Sequence, residues 1–116
     1  MQVKRIIANL RTEDPALADR FYRDILGLEL VMDHGWIRTY ASPNAMTVQV
    51  SVAQEGGSGT DVPDLSVEVD DLEEALRRVQ AAGIALVYGP ASEPWGVRRF
   101  YVRDPLGRLV NILQHA

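Results

Sequence analysis

The sequence contains no cysteine, which excludes disulfides, thiolate-bound zinc, iron–sulfur clusters and cysteine nucleophiles. No apolar run approaches the roughly 18–20 residues needed to cross a bilayer, so a transmembrane helix is excluded, and no membrane partner is expected. There is no excess of basic residues either. The net charge is −4 and the basic side chains are interleaved with acids, a pattern that does not match a nucleic-acid footprint. No Gly-x-Gly-x-x-Gly and no Ser–His–Asp arrangement is present, and Gly56-Gly57-Ser58-Gly59 lacks the Lys-Ser/Thr of a phosphate-binding loop. The first ten residues have only a short apolar stretch and read as a strand rather than a signal peptide, so a cytoplasmic location is expected. What is present, 47% apolar and 24% charged residues over 116 positions, suits one compact domain.

The chain repeats itself. Ile6 to Val31 reads strand, acidic turn, helix, glycine, strand, and Leu65 to Tyr88 reads the same way, with Asp14 answered by Asp71 and Gly27 by Gly83. Thr47-Val48-Gln49-Val50 is answered by Leu109-Val110-Asn111-Ile112. Each half has the pattern βαβββ, over residues 1–53 and 61–116, and the glycine-rich stretch 54–60 is the expected linker. Halves this small should share a core or exchange between chains.

Helix signals are strong in both halves. Asp14 is placed to cap a helix with Pro15 in its first turn, and Leu17, Ala18, Phe21, Tyr22 and Ile25 form one apolar stripe ending at Gly27. In the second half Asp70 and Glu73 have capping-box spacing, and Leu72, Ala75, Leu76, Val79 and Ala82 form the stripe before Gly83. Strand alternation over residues 6–11, 46–52 and 64–69 separates an apolar face from a polar one carrying Asn9, Arg11, Gln49, Asp64 and Glu68.

Phe21-Tyr22-Arg23-Asp24-Ile25-Leu26-Gly27-Leu28 resembles the FYxxxLG signature of the vicinal oxygen chelate superfamily, which contains glyoxalase I, the bleomycin-resistance proteins and the extradiol dioxygenases. Val69-Asp70-Asp71-Leu72 and Asp104-Pro105-Leu106-Gly107-Arg108-Leu109 are equally similar to its second module. The resemblance implies an α+β fold of two βαβββ modules whose strands form a cup-shaped mixed sheet, commonly completed in a homodimer. Metal-dependent relatives carry a ligand on the first and last strand of each module. Those positions fall here at Ile7, Gln49, Asp64 and Asn111, and an isoleucine with two amides and one carboxylate is a poor set for a first-row metal. No metal and no cofactor are therefore expected. Pro94-Trp95-Gly96-Val97-Arg98-Arg99-Phe100 is similar to the WGxREF stretch of the metal-free, bleomycin-resistance-like members, with Arg99 where they carry Glu.

The resemblance thus implies a protein that binds an aromatic or amphipathic small molecule in its cup, as in sequestration or resistance. The expected ligand-binding residues are Asn9, Arg11, Trp36, Arg38, Tyr40, Gln49, Asp64, Trp95 and Asn111. Trp36 and Trp95 would stack on a planar ligand, Arg38 and Asp64 would set its polarity, and Leu109 and Leu113 would help enclose it. Asn9, Gln49, Asp64, Glu68 and Asn111 should converge on the cup floor. The alternative is a metal-dependent glyoxalase-like lyase or isomerase, or a dioxygenase, with an atypical ligand set. Glu68 and His34 are the candidates for a catalytic base, and His115 reads as a tail residue.

Overall fold

In the computed structural model, which describes residues 5, 7–46 and 49–116, the second half folds as a complete βαβββ module. Its strands are β3 (Leu65–Glu68), β4 (Leu86–Ser92), β5 (Val97–Arg103) and β6 (Leu109–His115), with helix α1 (Leu72–Ala81) between the first two. They form one sheet in the order β3-β6-β5-β4, parallel between β3 and β6 and antiparallel elsewhere. The first half contributes a helical segment and a hairpin, β1 (Glu29–Asp33) with β2 (Arg38–Ala41).

Helix α1 begins one residue later than the capping-box spacing suggests. Asp71, not Asp70, is its cap, and the Asp71 carboxylate accepts from the Glu74 amide at 3.1 Å. The shift follows from a tertiary contact. The Gln114 side chain accepts from the Leu72 amide at 2.8 Å and donates to the Asp70 carbonyl at 2.9 Å, so β6 holds the backbone on both sides of the cap. The anticipated stripe is otherwise in place, with Leu72, Ala75 and Val79 buried; Ala82 lies beyond the helix and is exposed.

The first helical segment is not a regular α-helix. A 3-10 turn, Pro15–Ala18, capped by Asp14, runs directly into a π-type turn, Asp19–Arg23. The Leu26 amide reaches back to the Phe21 carbonyl at 3.0 Å, the five-residue step of the wider winding. The stripe still does its work, since Ala18, Phe21, Tyr22 and Ile25 are all buried.

These side chains pack on the second module's sheet, and Tyr22 also meets Tyr40 of its own hairpin, ring centres 5.9 Å apart. Phe100, Val102, Val110 and Ile112 form the sheet's inner face, and α1 and the first helical segment both lie against it. One polar tie crosses this core: the Tyr22 hydroxyl donates to Asp104 Oδ2 at 2.7 Å. Asp104 Oδ1 accepts from the Leu106 and Arg108 amides at 2.9 and 2.8 Å, which shapes the β5–β6 turn. Arg78 on α1 donates to the Ile25 carbonyl at 2.9 Å, closing the end of the first segment.

Among the described residues, the alternating segments 7–11, 46 and 49–52 do not form strands. Ile7–Arg11 and residues 46 and 49–52 lie outside any sheet, while Ile6, Thr47 and Val48 fall outside the described residues. Alternation marks which face of a segment would be buried, but a strand also needs an edge to receive its hydrogen bonds. Among the described residues neither segment finds such an edge.

Burial, and next the hydrogen bond to Asp104, push the Tyr22 phenol well above its ordinary value of 10.0. A raised pKa stabilises the fold up to the unfolded value and is lost as the pH rises beyond it, so stability should fall above about pH 10. Tyr22→Phe, which leaves the buried Asp104 oxygen without its donor, should cost about 1–3 kcal/mol in urea denaturation and remove that alkaline dependence.

Candidate functional site

A cavity of about 730 Å³ opens between the first module's hairpin, its helical segment and the β3 edge. Its apolar wall comes from Pro15, Ala18, Leu28, Leu65 and Val67, and its rim from Trp36, Arg38 and Tyr40. Asn9 and Arg11 reach it from the segment ahead of the helix. Five of the nine expected ligand-binding residues therefore line one space.

The β1–β2 hairpin owes its position to Asp19. The Arg38 guanidinium donates to Asp19 Oδ1 at 3.0 Å and pairs with Asp33 at 3.2 Å, and the Tyr40 hydroxyl donates to the same Asp19 oxygen. Arg23 adds a longer contact of 3.5 Å. The Tyr40 hydrogen bond, more than the neighbouring Arg38, holds the Asp19 carboxyl below its usual range, while burial and then Asp19 push the Tyr40 phenol up. Arg38 is thus engaged with two carboxylates of the chain itself. Trp36 precedes β2 in the turn and is 78% exposed, so its indole stands at the mouth with one face open.

The other expected residues lie on the opposite face of the four-stranded sheet. There Tyr101 pairs with Asn111 and Ser66 with Asn111 in register, so these side chains share one face. Asn111 is 7% exposed; its amide nitrogen donates to Ser66 Oγ at 3.1 Å, and its Oδ1 has no partner. Asp64 Oδ2 accepts from the Leu109 amide at 2.9 Å. Glu68 and His115 face each other at 2.8 Å, a pairing that gives the chain's end a fixed contact. Leu109 and Leu113 belong to this face too, away from the cavity. Trp95, in the β4–β5 turn, covers the Arg99 guanidinium at 5.1 Å. Gln49 is exposed outside the strands, and His34 is exposed in the β1–β2 turn. The five polar residues expected to share one floor are accordingly divided: Asn9 lines the cavity, Asp64, Glu68 and Asn111 are across the sheet, and Gln49 stands apart.

Two groups escaped the sequence reading. Asp19 sits in a charged stretch, Asp19-Arg20, that looks like a solvated helix face, and only the tertiary return of the hairpin makes it a hub. The buried pair Glu93 and Arg99, 3.6 Å apart, is likewise assembled from two strands' ends. The glycine stretch read as a linker is seated on it.

A family model for the Glyoxalase/Bleomycin resistance protein/Dioxygenase superfamily matches residues 4–112. The chain belongs to this superfamily. Solved structures with the same fold include TioX from Micromonospora sp. ML1, 23% identical with a TM-score of 0.65 over 97% of both chains. TnmS3, an antibiotic binding protein from Streptomyces sp. CB03234, is 24% identical with a TM-score of 0.65 over 90% of this chain and 88% of its own. A superfamily member from Sphaerobacter thermophilus DSM 20745 is 24% identical with a TM-score of 0.66 over 93% and 94%. A comparison with curated proteins finds no match.

Some members of this superfamily hold a metal, and the corresponding residues here do not fit one. The Ile7 side chain has no donor atom and lines the cavity, whereas Asn111 is on the far side of the sheet, so the two positions do not face one another. Asp64 is engaged by a backbone amide, and Gln49 is exposed outside the strands. Among the described residues, no three His, Asp or Glu side chains come together as a metal cluster.

A carboxylate with a depressed pKa stabilises the fold above its ordinary value of 3.8, and that contribution disappears as the pH falls through the depressed one. Acid should therefore release the hairpin from Asp19. Trp36 emission, read in a Trp95→Phe protein, should change below about pH 4. The same step should be missing in Asp19→Asn, where the tie is already weakened; a flat trace in the parent protein would contradict the role of Asp19.

Proposed function

We propose that this superfamily member is a metal-free receptor for an aromatic or amphipathic small molecule, held in the cavity beside Trp36. The observation that carries this reading is the cavity itself: about 730 Å³, walled mainly by apolar side chains, with an open indole and a few polar groups at its rim. That is the ordinary make-up of a small-molecule site. Trp36 offers a stacking face, Tyr40 adds a second ring, and Arg11 and Asn9 supply polar contacts. Arg38, neutralised by Asp19 and Asp33, orients the rim. TnmS3, described as an antibiotic binding protein, has the same fold and makes sequestration a natural use of such a site.

The two modules, 1–53 and 61–116, would act together in a cytoplasmic homodimer. Met46, Val50 and Val52 are 80%, 73% and 93% exposed, in the segment whose alternation calls for a sheet edge. A second copy would provide that edge and cover the apolar surface. Sedimentation should show a dimer, and Val50→Lys with Val52→Lys should shift it to monomer without unfolding the second module.

Binding can be read with 1-anilinonaphthalene-8-sulfonate, a planar aromatic with a polar group. Saturable binding is expected, and Trp36→Ala should weaken it by about 2–4 kcal/mol, the loss typical of an aromatic anchor. An unchanged affinity would remove Trp36 from the site.

A further inference from the structure

The cavity beside Trp36 collects charge of the sign opposite to that of the chain as a whole. The sequence carries sixteen Asp and Glu against twelve Lys and Arg, a net charge of −4. None of those acidic side chains lines the cavity, whereas Arg5, Arg11 and Arg38 all do. Arg38 is already neutralised, held by Asp19 at 3.0 Å and by Asp33 at 3.2 Å. Arg5 and Arg11 are exposed, and among the described residues neither forms an ion pair. Asp19, the carboxylate at the rim, is shared by Arg38 and the Tyr40 hydroxyl, so it leaves the other two guanidinium groups uncompensated.

On an open surface two such arginines would simply be hydrated. Here they border a space walled by apolar side chains, and a cleft lined by one sign of charge concentrates ions of the other. The cations and the apolar wall also come from different elements. Arg5 and Arg11 belong to the segment ahead of Pro15, while Leu65 and Val67 belong to β3 and Ala18 to the helical segment. An occupant that satisfies both has an apolar body and one anionic end. Guanidinium groups hold such an end through paired N–H donors, and Asn9 and Thr12 bring neutral donors from the same segment.

We infer that the occupant of this cavity is an aromatic acid: a planar ring system with one anionic head, its rings against Trp36 and Tyr40 and its head at Arg5 and Arg11. The inference rests on the reading of the Trp36 cavity as the ligand site and adds to it the charge of the ligand. A cationic aromatic would meet no acidic side chain among the lining residues.

Two dyes that differ only in the anionic group test it: 1-anilinonaphthalene-8-sulfonate and the neutral N-phenyl-1-naphthylamine, each titrated by its own fluorescence. In the double variant Arg5→Gln with Arg11→Gln, at exposed positions, the sulfonate should bind about tenfold more weakly and the neutral dye should change less than twofold. Arg20→Gln, an exposed arginine outside the cavity, makes a control and should move neither dye. Raising NaCl from about 0.05 to about 0.5 M should weaken the sulfonate in the parent protein and have much less effect in the double variant. Equal losses for the two dyes, no loss for the sulfonate, or the same loss in Arg20→Gln would overturn the anionic assignment, while Trp36-dependent binding of the neutral dye would keep the cavity as the ligand site. Saturable binding of neither dye would remove the cavity reading, and the inference with it.

Discussion

Everything in this molecule depends on one packing choice: the first helical segment lies on the second module's sheet. Phe21, Tyr22 and Ile25 enter the same core as Leu72, Val79, Phe100 and Ile112, so neither module has a separate interior. Each such side chain contributes about 1.5–3 kcal/mol by leaving water, and that contribution exists only when the two halves are together. The Tyr22–Asp104 hydrogen bond adds direction to this burial by fixing the segment over the β5–β6 turn. With the segment anchored, Asp19 points where the hairpin can reach it, and the cavity between them follows.

Charge is handled in the same economical way. Among the described residues Glu93, Arg99 and Asp104 are buried and Asp19 and Arg38 partly so, and each is answered locally. Asp19 gathers Arg38 and Tyr40 at the cavity rim, and Glu93 faces Arg99 across the sheet. Both carboxylates are kept ionised by hydroxyl donors, Tyr40 for the first, Ser58 and then Tyr88 for the second. Such arrangements do not contribute much net stability, but removing one partner exposes the other to an apolar setting at considerable cost. They set the geometry of the two faces more than the strength of the fold.

The two helix positions and the second module were legible because they rest on local signals: glycine after an apolar stripe, aspartate before one, and alternation over residues 64–69. The superfamily fold was legible from Phe21-Tyr22 and Asp104-Pro105 for the same reason. Three things were not. The winding of residues 15–23 is decided by fitting Phe21 and Tyr22 together against a sheet, which no periodicity encodes. The Asp71 cap is decided by Gln114, far along the chain. The division of the polar residues between two faces depends on where segments 5–12 and 46–52 lie, and an alternating pattern does not name the edge it will meet. Gly56–Gly59 illustrates the limit most clearly: a composition that means flexibility in isolation is here bound to a buried arginine.

We propose that an open, largely apolar cavity, rather than a metal centre, is what this member of the superfamily uses. Metal stoichiometry by mass spectrometry tests it most directly, on protein purified without chelators and again after incubation with Zn²⁺, Ni²⁺, Mn²⁺ and Fe²⁺ followed by desalting. The positions of Ile7, Gln49, Asp64 and Asn111 predict that no stoichiometric metal is retained in either case. About one tightly held metal ion per chain would contradict the claim and make metal-assisted catalysis the leading reading.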